Sequence, residues 1–415
     1  MNLKAKNTMY FFTIEPYVYV DIKKNKCLLY NTINNEKIIT SNKFVVNMLK
    51  IIKRFSIAQK ISLYEIKKYN LLDFFSNVKK YYIGDLLIID NLSNKPPVIQ
   101  RKKIENKYDA TFLRLGDVKV DILSIVKEVN LFFLNECKSK CDICTTAYTQ
   151  TTHCYNKKFK KVDYEKIVDF LRPIVKLKRS VKFNFVTNDL SNLDLLNFLK
   201  ITSNSIHQKE IIVNIDNYNQ DIVKKIFDNK LISSLKILIN RTNKIPTNME
   251  LVNSLEFKQS VKYNLLVEND TDLTYYKKIM NKFKISNYNF TPIYNKQNYQ
   301  FFKNNVFLND ENIFKNKLSM KQILFNQNFN VFNMGKLYIL QNGDVLTNLN
   351  KKKIGNIKTS KINDIVYNEL VAGKAWRLLR QNIVPCKSCL LCNVCPPVSN
   401  YELTIGRNDL CQVNV

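Results

Sequence analysis

Six short apolar runs recur along the middle of the chain, and most of the gaps between them have helical length and spacing. The runs are Val129–Leu134, Val181–Val186, Glu210–Ile215, Ser234–Ile239, Tyr263–Val267 and Tyr288–Tyr294. The helical stretches include Asp163–Leu177, Leu193–Ile201, Asp221–Phe227 and Asp272–Phe283. This alternation predicts an α/β fold with parallel strands joined by helical crossovers. Six such units suggest an open or partial barrel, with its chemistry at the carboxyl ends of the strands.

The first 95 residues have a different pattern, in which short alternating runs precede helical spacing. The runs are Tyr17–Ile22, Lys26–Tyr30 and Glu36–Ile39. Lys/Asn turns separate them, so they predict a meander. Apolar residues then recur at helical spacing over 44–52 and 63–71, and Ser41 is the expected N-cap of the first helix. We expect a small α+β module, followed by a linker with the Pro96–Pro97 pair.

Length, charge and cysteine usage set the broad class of the protein. The 415 residues suit two or three domains, and the 45% hydrophobic content is that of a globular chain. Basic residues outnumber acidic ones by 65 to 35, but they are spread along the whole chain, so a nucleic-acid partner is not favoured. No signal-peptide pattern and no apolar run of about eighteen residues occurs, so we expect a cytoplasmic protein without a membrane span. Eight of the ten cysteines lie in two short windows, which in the cytoplasm indicates metal or cluster ligation.

The first cysteine group directly follows the first strand of the alternating region. Cys137, Cys141 and Cys144 have the spacing C-x3-C-x2-C. This spacing resembles that of the radical SAM superfamily. The resemblance implies that the three thiolates hold a [4Fe–4S] cluster whose fourth iron binds S-adenosylmethionine.

The second group follows a stretch around Trp376 and lies near the end of the chain. Its members are Cys386, Cys389, Cys392, Cys395 and Cys411. The group resembles the SPASM region of peptide-modifying radical SAM enzymes. That resemblance implies an auxiliary [4Fe–4S] cluster on Cys386, Cys389, Cys395 and Cys411, with Cys392 as an alternate ligand. Because C-x2-C pairs are also the usual zinc spacing, a tetrahedral Zn²⁺ site is the alternative.

The segment upstream of this group adds to the resemblance to SPASM proteins. Between residues 332 and 345 the pattern predicts two short strands joined by an Asn342-Gly343 turn, and Gly355-Asn356-Ile357 follows.

The chain departs from the superfamily pattern where a Gly-Gly-Glu motif is expected after the second barrel strand. It has Thr187-Asn188-Asp189-Leu190 there, so Asp189 is the candidate for the acidic member. No glycine lies between Gly116 and Gly335, so no loop in that range offers a close backbone approach to a nucleotide. The combination resembles the pseudo-radical-SAM proteins of ribosomal-peptide maturation systems. This implies a non-catalytic barrel that binds a precursor peptide or supports a true radical SAM maturase as a hetero-oligomer.

The N-terminal pattern resembles the winged-helix-like peptide-recognition module of the same systems, which binds a leader peptide as an added strand. We therefore expect a peptide-recognition-like module over 1–95, a linker over 96–127, a radical-SAM-like partial (β/α)6 barrel over 128–325 and a cysteine-rich SPASM-like domain over 326–415. Two other functions stay open. One is an active radical SAM enzyme that modifies a peptide, and the other is a zinc-containing nucleic-acid-binding protein.

A few single residues outside the cysteine groups are further candidates. His153, beside Cys154, is a candidate ligand or acid–base group, whereas His207 lies in a polar segment and is expected to be solvated. Asp216 and Glu268 follow the third and fifth strands, where they would line a barrel mouth. Neither a Ser/His/Asp grouping nor a phosphate-binding glycine loop is evident, so the sequence does not support hydrolase or kinase functions.

Overall fold

Two small sheets and three helices build the N-terminal part of the molecule. A computed structural model describes residues 8–90, 95–99, 122–135, 143–154, 163–241 and 258–413. The N-terminal elements are β1 (Met9–Ile14), β2 (Val18–Lys23), β3 (Lys26–Asn31), β4 (Lys37–Thr40), α1 (Lys43–Phe55), β5 (Gln59–Ser62), α2 (Leu63–Lys68), α3 (Leu72–Lys80) and β6 (Gly84–Ile88). Strand β1 pairs antiparallel with both β5 and β6. Strands β2, β3 and β4 form the predicted antiparallel meander.

Helix α1 forms where the apolar spacing predicts it, and its buried side chains lie on one face. Its N-cap is Asn42, whose side-chain oxygen accepts hydrogen bonds from the backbone N–H groups of Phe44 (3.0 Å) and Val45 (3.3 Å). The prediction of Ser41 as the cap is therefore wrong by one residue. Both residue types can cap a helix, so sequence alone does not separate them.

The alternating region forms the six predicted strands and the four predicted helices, together with one further helix that begins at Cys144 and was not predicted. They are β7 (Glu128–Phe133), α4 (Cys144–Gln150), α5 (Tyr164–Val175), β8 (Lys182–Thr187), α6 (Leu193–Ile201), β9 (Gln208–Asn214), α7 (Gln220–Asp228), β10 (Ser234–Ile239), β11 (Val261–Val267), α8 (Asp270–Lys282) and β12 (Tyr288–Pro292). Strands β7 to β12 are parallel and lie side by side in chain order. The expected α/β fold with a parallel sheet is thus confirmed, while barrel curvature stays a prediction.

The remaining elements extend this sheet and cover its end. They are α9 (Tyr299–Val306), α10 (Asp310–Lys315), α11 (Met320–Asn326), β13 (Lys336–Ile339), β14 (Asp344–Leu346), β15 (Gly355–Asn356), α12 (Ile362–Ala372) and α13 (Asn400–Ile405). Strand β13 pairs with β7, and β14 and β15 continue the sheet to nine strands in the order β12-β11-β10-β9-β8-β7-β13-β14-β15. The predicted hairpin of β13 and β14 is confirmed. Gly343 lies in the turn that joins the two strands and has φ +84°, a conformation that glycine adopts readily.

The two faces of the sheet are packed differently. Alternate strand residues and the apolar sides of α5 to α8 form the main core on the outer face. On the opposite, inner face, strand residues such as Phe132, Val186 and Leu238 pack with Cys144 at the start of α4. Farther along α4, Ala147 contacts Leu266 of β11. Helix α4 therefore lies on the inner face and fills space there.

The inner face becomes charged toward the amino ends of the strands. The Glu210 carboxylate is 1% exposed and pairs with Lys182 (3.0 Å), Lys236 (3.3 Å) and Lys262 (3.8 Å). The Ser234 hydroxyl also donates to it, at 3.0 Å. These contacts supply the partners that a buried carboxylate requires.

The N-terminal meander packs against the C-terminal part of the chain. Tyr19, Leu28 and Tyr30 share a buried cluster with side chains of α10, α11 and the cysteine-rich segment. Asn393 donates a hydrogen bond to the Tyr19 hydroxyl at 3.0 Å, and Gln327 donates to the same oxygen at 3.2 Å. The first and last parts of the sequence thus form a common interface.

None of the helices in the described ranges combines the length and the apolar character that a membrane crossing requires. The winged-helix likeness of the N-terminal part and the predicted domain boundaries stay predictions.

Candidate metal centre

Five cysteines of the C-terminal segment line one cavity of about 500 Å³. They are Cys386, Cys389, Cys392, Cys395 and Cys411. Each of them is buried or half-buried. The structure therefore brings together every cysteine of the second predicted group, although Cys411 is distant from the others in sequence.

Tight turns place the first four thiols around the cavity. Cys386 opens a short 3₁₀ helix, and the backbone N–H of Cys389 donates to its carbonyl at 3.0 Å. The N–H of Cys395 donates to Leu391 at 2.8 Å. Cys411 reaches the cavity because its segment forms a parallel bridge with Leu308, between α9 and α10.

A buried guanidinium holds the two ends of the cysteine segment together. Arg380 donates from Nη1 to Glu402 Oε1 (2.8 Å) and from Nη2 to Oε2 (3.1 Å), and it also donates to the carbonyl of Pro396. The same Nη1 lies 3.5 Å from Cys386 Sγ. A positive charge at this position favours negative charge on the neighbouring sulfurs.

Burial controls the protonation of these thiols when no cation is bound. It raises the pKa of Cys395 to about 12, although the nearby Arg380 charge acts in the opposite direction. It also raises the pKa of Cys392 to about 11 and, by a smaller amount, the pKa values of Cys386 and Cys389. A metal group that binds here must therefore displace thiol protons, as cysteine-ligated metals do.

The β2–β3 turn completes the wall of the cavity. Lys23, Lys24, Asn25 and Lys26 line it opposite the cysteine segment. The turn is held near the thiols because Asn393 bonds to Tyr19 in β2, as described above. The N-terminal part of the chain thus encloses the C-terminal thiols.

The residues around the cavity fit an iron–sulfur cluster. The backbone N–H of Leu391 lies 3.4 Å from Cys389 Sγ, and N–H···S contacts of this kind tune such clusters. Thiolate donors also suit a tetrahedral zinc ion, so zinc stays the alternative at these five cysteines.

The first predicted cysteine group is only partly within the described residues. Cys137 and Cys141 lie outside them. Cys144 is buried at the start of α4, and its sulfur lies within 4.8 Å of donor atoms of both His153 and Cys154. Sequence reasoning did not connect Cys154 with Cys144. The adjacent pair His153-Cys154 so soon after a cysteine was the available signal.

Asp189 and its neighbours bind the end of strand β7. Asp189 accepts hydrogen bonds from the side chains of Asn135 (2.6 Å) and Ser191 (2.6 Å). The Asn188 side chain pairs with both backbone groups of Asn135, at 2.8 and 2.7 Å. At the position of the expected Gly-Gly-Glu motif, this chain therefore has a polar link between two strand ends.

The other candidate residues have structural partners. His207 is buried, so the expectation that it is solvated is wrong. Its Nδ1 accepts from Val181 N (3.1 Å) and its Nε2 donates to Val175 O (3.0 Å), while burial lowers its pKa. Burial also raises the pKa of Glu268, whose carboxylate accepts from Asn295 at 3.1 Å. Asp216 lies in a 3₁₀ turn directly after β9.

The chain was compared with known proteins at the level of sequence and of structure. No protein-family model matches it, and no curated protein matches its sequence. Among solved structures, it is similar to SuiB from Streptococcus suis, with 14% identity, 96% of this chain and all of that chain covered, and a TM-score of 0.46. It is also similar to SuiB bound to S-adenosylmethionine, with 14% identity, 97% and 100% coverage and a TM-score of 0.38.

A third solved structure, native anSMEcpe with bound AdoMet, shares 15% identity with the chain. The match covers 64% of this chain and 88% of that one, with a TM-score of 0.43. These likenesses leave the predicted resemblance to the radical SAM/SPASM superfamily a prediction. Since all three TM-scores lie below 0.5, the function is inferred below from this chain's own residues.

Proposed function

We propose that this chain is a radical-SAM-like SPASM protein that takes part in the maturation of a ribosomally synthesised peptide without catalysing the chemistry itself. The observation that carries the proposal is the single cavity lined by five cysteine thiols and enclosed by the N-terminal β2–β3 turn. In this role the chain binds a precursor peptide, supports a true radical SAM maturase, or does both.

Four of the five cysteines are the proposed ligands of a [4Fe–4S] cluster: Cys386, Cys389, Cys395 and Cys411. All four line the same cavity. Cys392 lines the same cavity and is the proposed alternate, because the other four cysteines match the SPASM spacing. When bound, such a cluster supplies a one-electron carrier and a cross-link between the segments that ligate it.

The inner face of the sheet supports a non-catalytic barrel. Helix α4 packs there against apolar strand residues, and Asp189 is engaged by Asn135 and Ser191. These features favour the pseudo-enzyme over the active radical SAM alternative.

The edge of β4 is the proposed site for the leader peptide. Strand β4 pairs with β3 on one side, and in the described part of the chain no strand pairs with its other side. Ile39 is 43% exposed there and lies opposite Leu28, on the face that packs against the C-terminal segment. Between residues 8 and 90, thirteen basic residues stand against seven acidic ones, so an acidic peptide is the complementary ligand.

Catalysis is tested by incubating the anaerobically purified protein with S-adenosylmethionine and a strong reductant. The proposal expects no deoxyadenosine. Deoxyadenosine that forms in the parent and disappears in Cys141→Ala would instead establish the active enzyme.

Peptide binding is tested by fluorescence anisotropy, with the labelled precursor peptide encoded beside the gene and a scrambled control. Ile39→Lys should weaken binding, whereas Ile33→Lys, in a turn and 66% exposed, should not. Equal effects of the two variants, or binding of the scrambled peptide, would contradict the β4 site.

A further inference from the structure

Three metal-binding side chains converge on the inner face of the sheet, in a part of the core separate from the C-terminal thiols. They are Cys144, His153 and Cys154, and one donor atom from each lies within 4.8 Å of the other two. All three are buried, with 3%, 0% and 4% of their surface exposed. Side chains of this chemistry at this spacing can surround a single ion.

The hydrogen bonding of His153 is that of a metal ligand. Its Nδ1 lies 2.5 Å from the carbonyl oxygen of Cys154, which accepts the Nδ1 proton. A neutral ring that donates from Nδ1 carries its lone pair on Nε2. Metal-ligating histidines commonly donate their other ring N–H to a backbone carbonyl in this way, which fixes the ring.

The spacing of the two sulfurs allows them to share one ion. With Zn–S bonds of ~2.3 Å, tetrahedral angles separate two sulfurs by about 3.8 Å. The sulfurs of Cys144 and Cys154 lie within 4.8 Å of each other, and a donor atom of His153 lies within the same distance of both. Nδ1 of His153 lies 3.5 Å from Cys154 Sγ, and because it donates to the carbonyl of Cys154, the zinc ligand is Nε2.

The scaffold holds these donors in place. Helix α4 begins at Cys144 and ends at Gln150, whose side-chain amide bonds both backbone groups of Tyr294 at 2.8 Å. Asn350 donates to the carbonyl of Thr149 at 2.7 Å. The helix is thus attached to the C-terminal part of the chain just before the segment that carries His153 and Cys154. A site supported in this way loses little entropy when it binds an ion.

We propose that Cys144, His153 and Cys154 bind one zinc ion, which fastens α4 to the inner face of the sheet. Two sulfurs and one nitrogen suit a borderline-soft ion, and one tetrahedral position is left for a water molecule or a further ligand. The proposal assigns Cys144 to zinc rather than to a cluster with Cys137 and Cys141. It does not depend on the C-terminal cluster, because none of its ligands lines that cavity.

The test measures zinc and iron by mass spectrometry in the full-length protein, purified anaerobically with no metal added. We expect one zinc per chain in the parent, loss of that zinc in Cys154→Ser and in His153→Ala, and unchanged iron. Cys27→Ser is the matched thiol control, because Cys27 is buried in the separate N-terminal core. His153→Cys, which restores a ligand, should keep the zinc and so distinguishes loss of a donor from misfolding.

Zinc X-ray absorption of the parent should give a shell of two sulfurs with a nitrogen neighbour. A parent without zinc, or zinc retained in both Cys154→Ser and His153→Ala, overturns the inference. Zinc that disappears in a Cys386→Ala, Cys389→Ala variant belongs to the C-terminal cavity and overturns it too. Loss of iron but retention of zinc in that variant supports two separate sites.

Discussion

Replacing Arg380 by methionine tests whether the ion pair beside the thiols holds the C-terminal segment together. The Arg380 and Glu402 side chains are 8% and 2% exposed and are joined by two hydrogen bonds. Removing one member of a buried pair leaves the other charge unpaired and costs about 3–5 kcal/mol. For a 415-residue chain that unfolds as one unit, an unfolding entropy of ~2.1 cal/mol/K per residue converts this cost into a fall in Tm of about 3–6 °C.

The assay is thermal unfolding of the anaerobically purified chain, followed by circular dichroism, with the iron content measured in parallel. Arg407→Met is the matched control, because Arg407 makes a similar two-bond contact with Asp409 at the surface. An exposed pair contributes at most about 1 kcal/mol. Arg380→Met with Glu402→Gln removes both charges and keeps the helix-capping side chain, so it should be more stable than Arg380→Met alone. Equal small losses in Arg380→Met and Arg407→Met would refute the reasoning.

Three further substitutions test other parts of the fold. Burial alone would raise the pKa of Glu210, but the charges of its lysine partners lower that pKa below its usual value. The Glu210 carboxylate therefore stabilises the fold fully above the unfolded pKa of ~4.3, and this stabilisation is lost as pH falls through the lowered folded pKa. In urea unfolding at several pH values, Glu210→Gln should be less stable than the parent near neutrality and should lose less stability below about pH 4. If the free energy of unfolding of both proteins fell equally with pH, the result would contradict this prediction. Gly335→Ala should lower the melting temperature clearly more than Gly406→Ala. Both glycines have positive φ, but only a Cβ added at Gly335 meets a carbonyl oxygen, at 2.4 Å. Equal melting temperatures of the two variants would argue against this prediction. Tyr19→Phe removes the acceptor of two side-chain amides and should cost about 1–3 kcal/mol, whereas Tyr64→Phe, at an exposed site, should change stability by less than ~0.5 kcal/mol.

Local pattern was sufficient to predict the central sheet. Each of the six apolar runs forms a strand, and Ser234–Ile239 has the predicted limits. Buried parallel strands give continuous apolar runs, so their signal survives in a single sequence. Strands β1, β5 and β6 were missed because β1 pairs with distant segments, whereas β5 and β6 are short and partly exposed. Their stability comes from tertiary contacts that local pattern does not contain.

For the candidate sites too, the sequence predicted the residues that lie close together in the chain and missed contacts between distant segments. Spacing identified the four clustered C-terminal cysteines, and resemblance supplied Cys411. The β2–β3 turn over the cavity could not be predicted, because Lys23 and Cys392 are far apart in sequence and meet only through the interface of β2 with the C-terminal segment. The burial of His207 was missed for a related reason. Its ring bonds backbone groups of β8 and α5, which its own polar segment does not indicate.

Iron and acid-labile sulfide counts on the anaerobically purified chain test the central claim most directly. We predict about four irons and four sulfides per chain. In the Cys386→Ala, Cys389→Ala variant both counts should fall to background, whereas Cys27→Ser should match the parent. Iron that is unchanged in the double variant, or a parent that contains zinc but no sulfide, would contradict the assignment of a cluster to the C-terminal thiols.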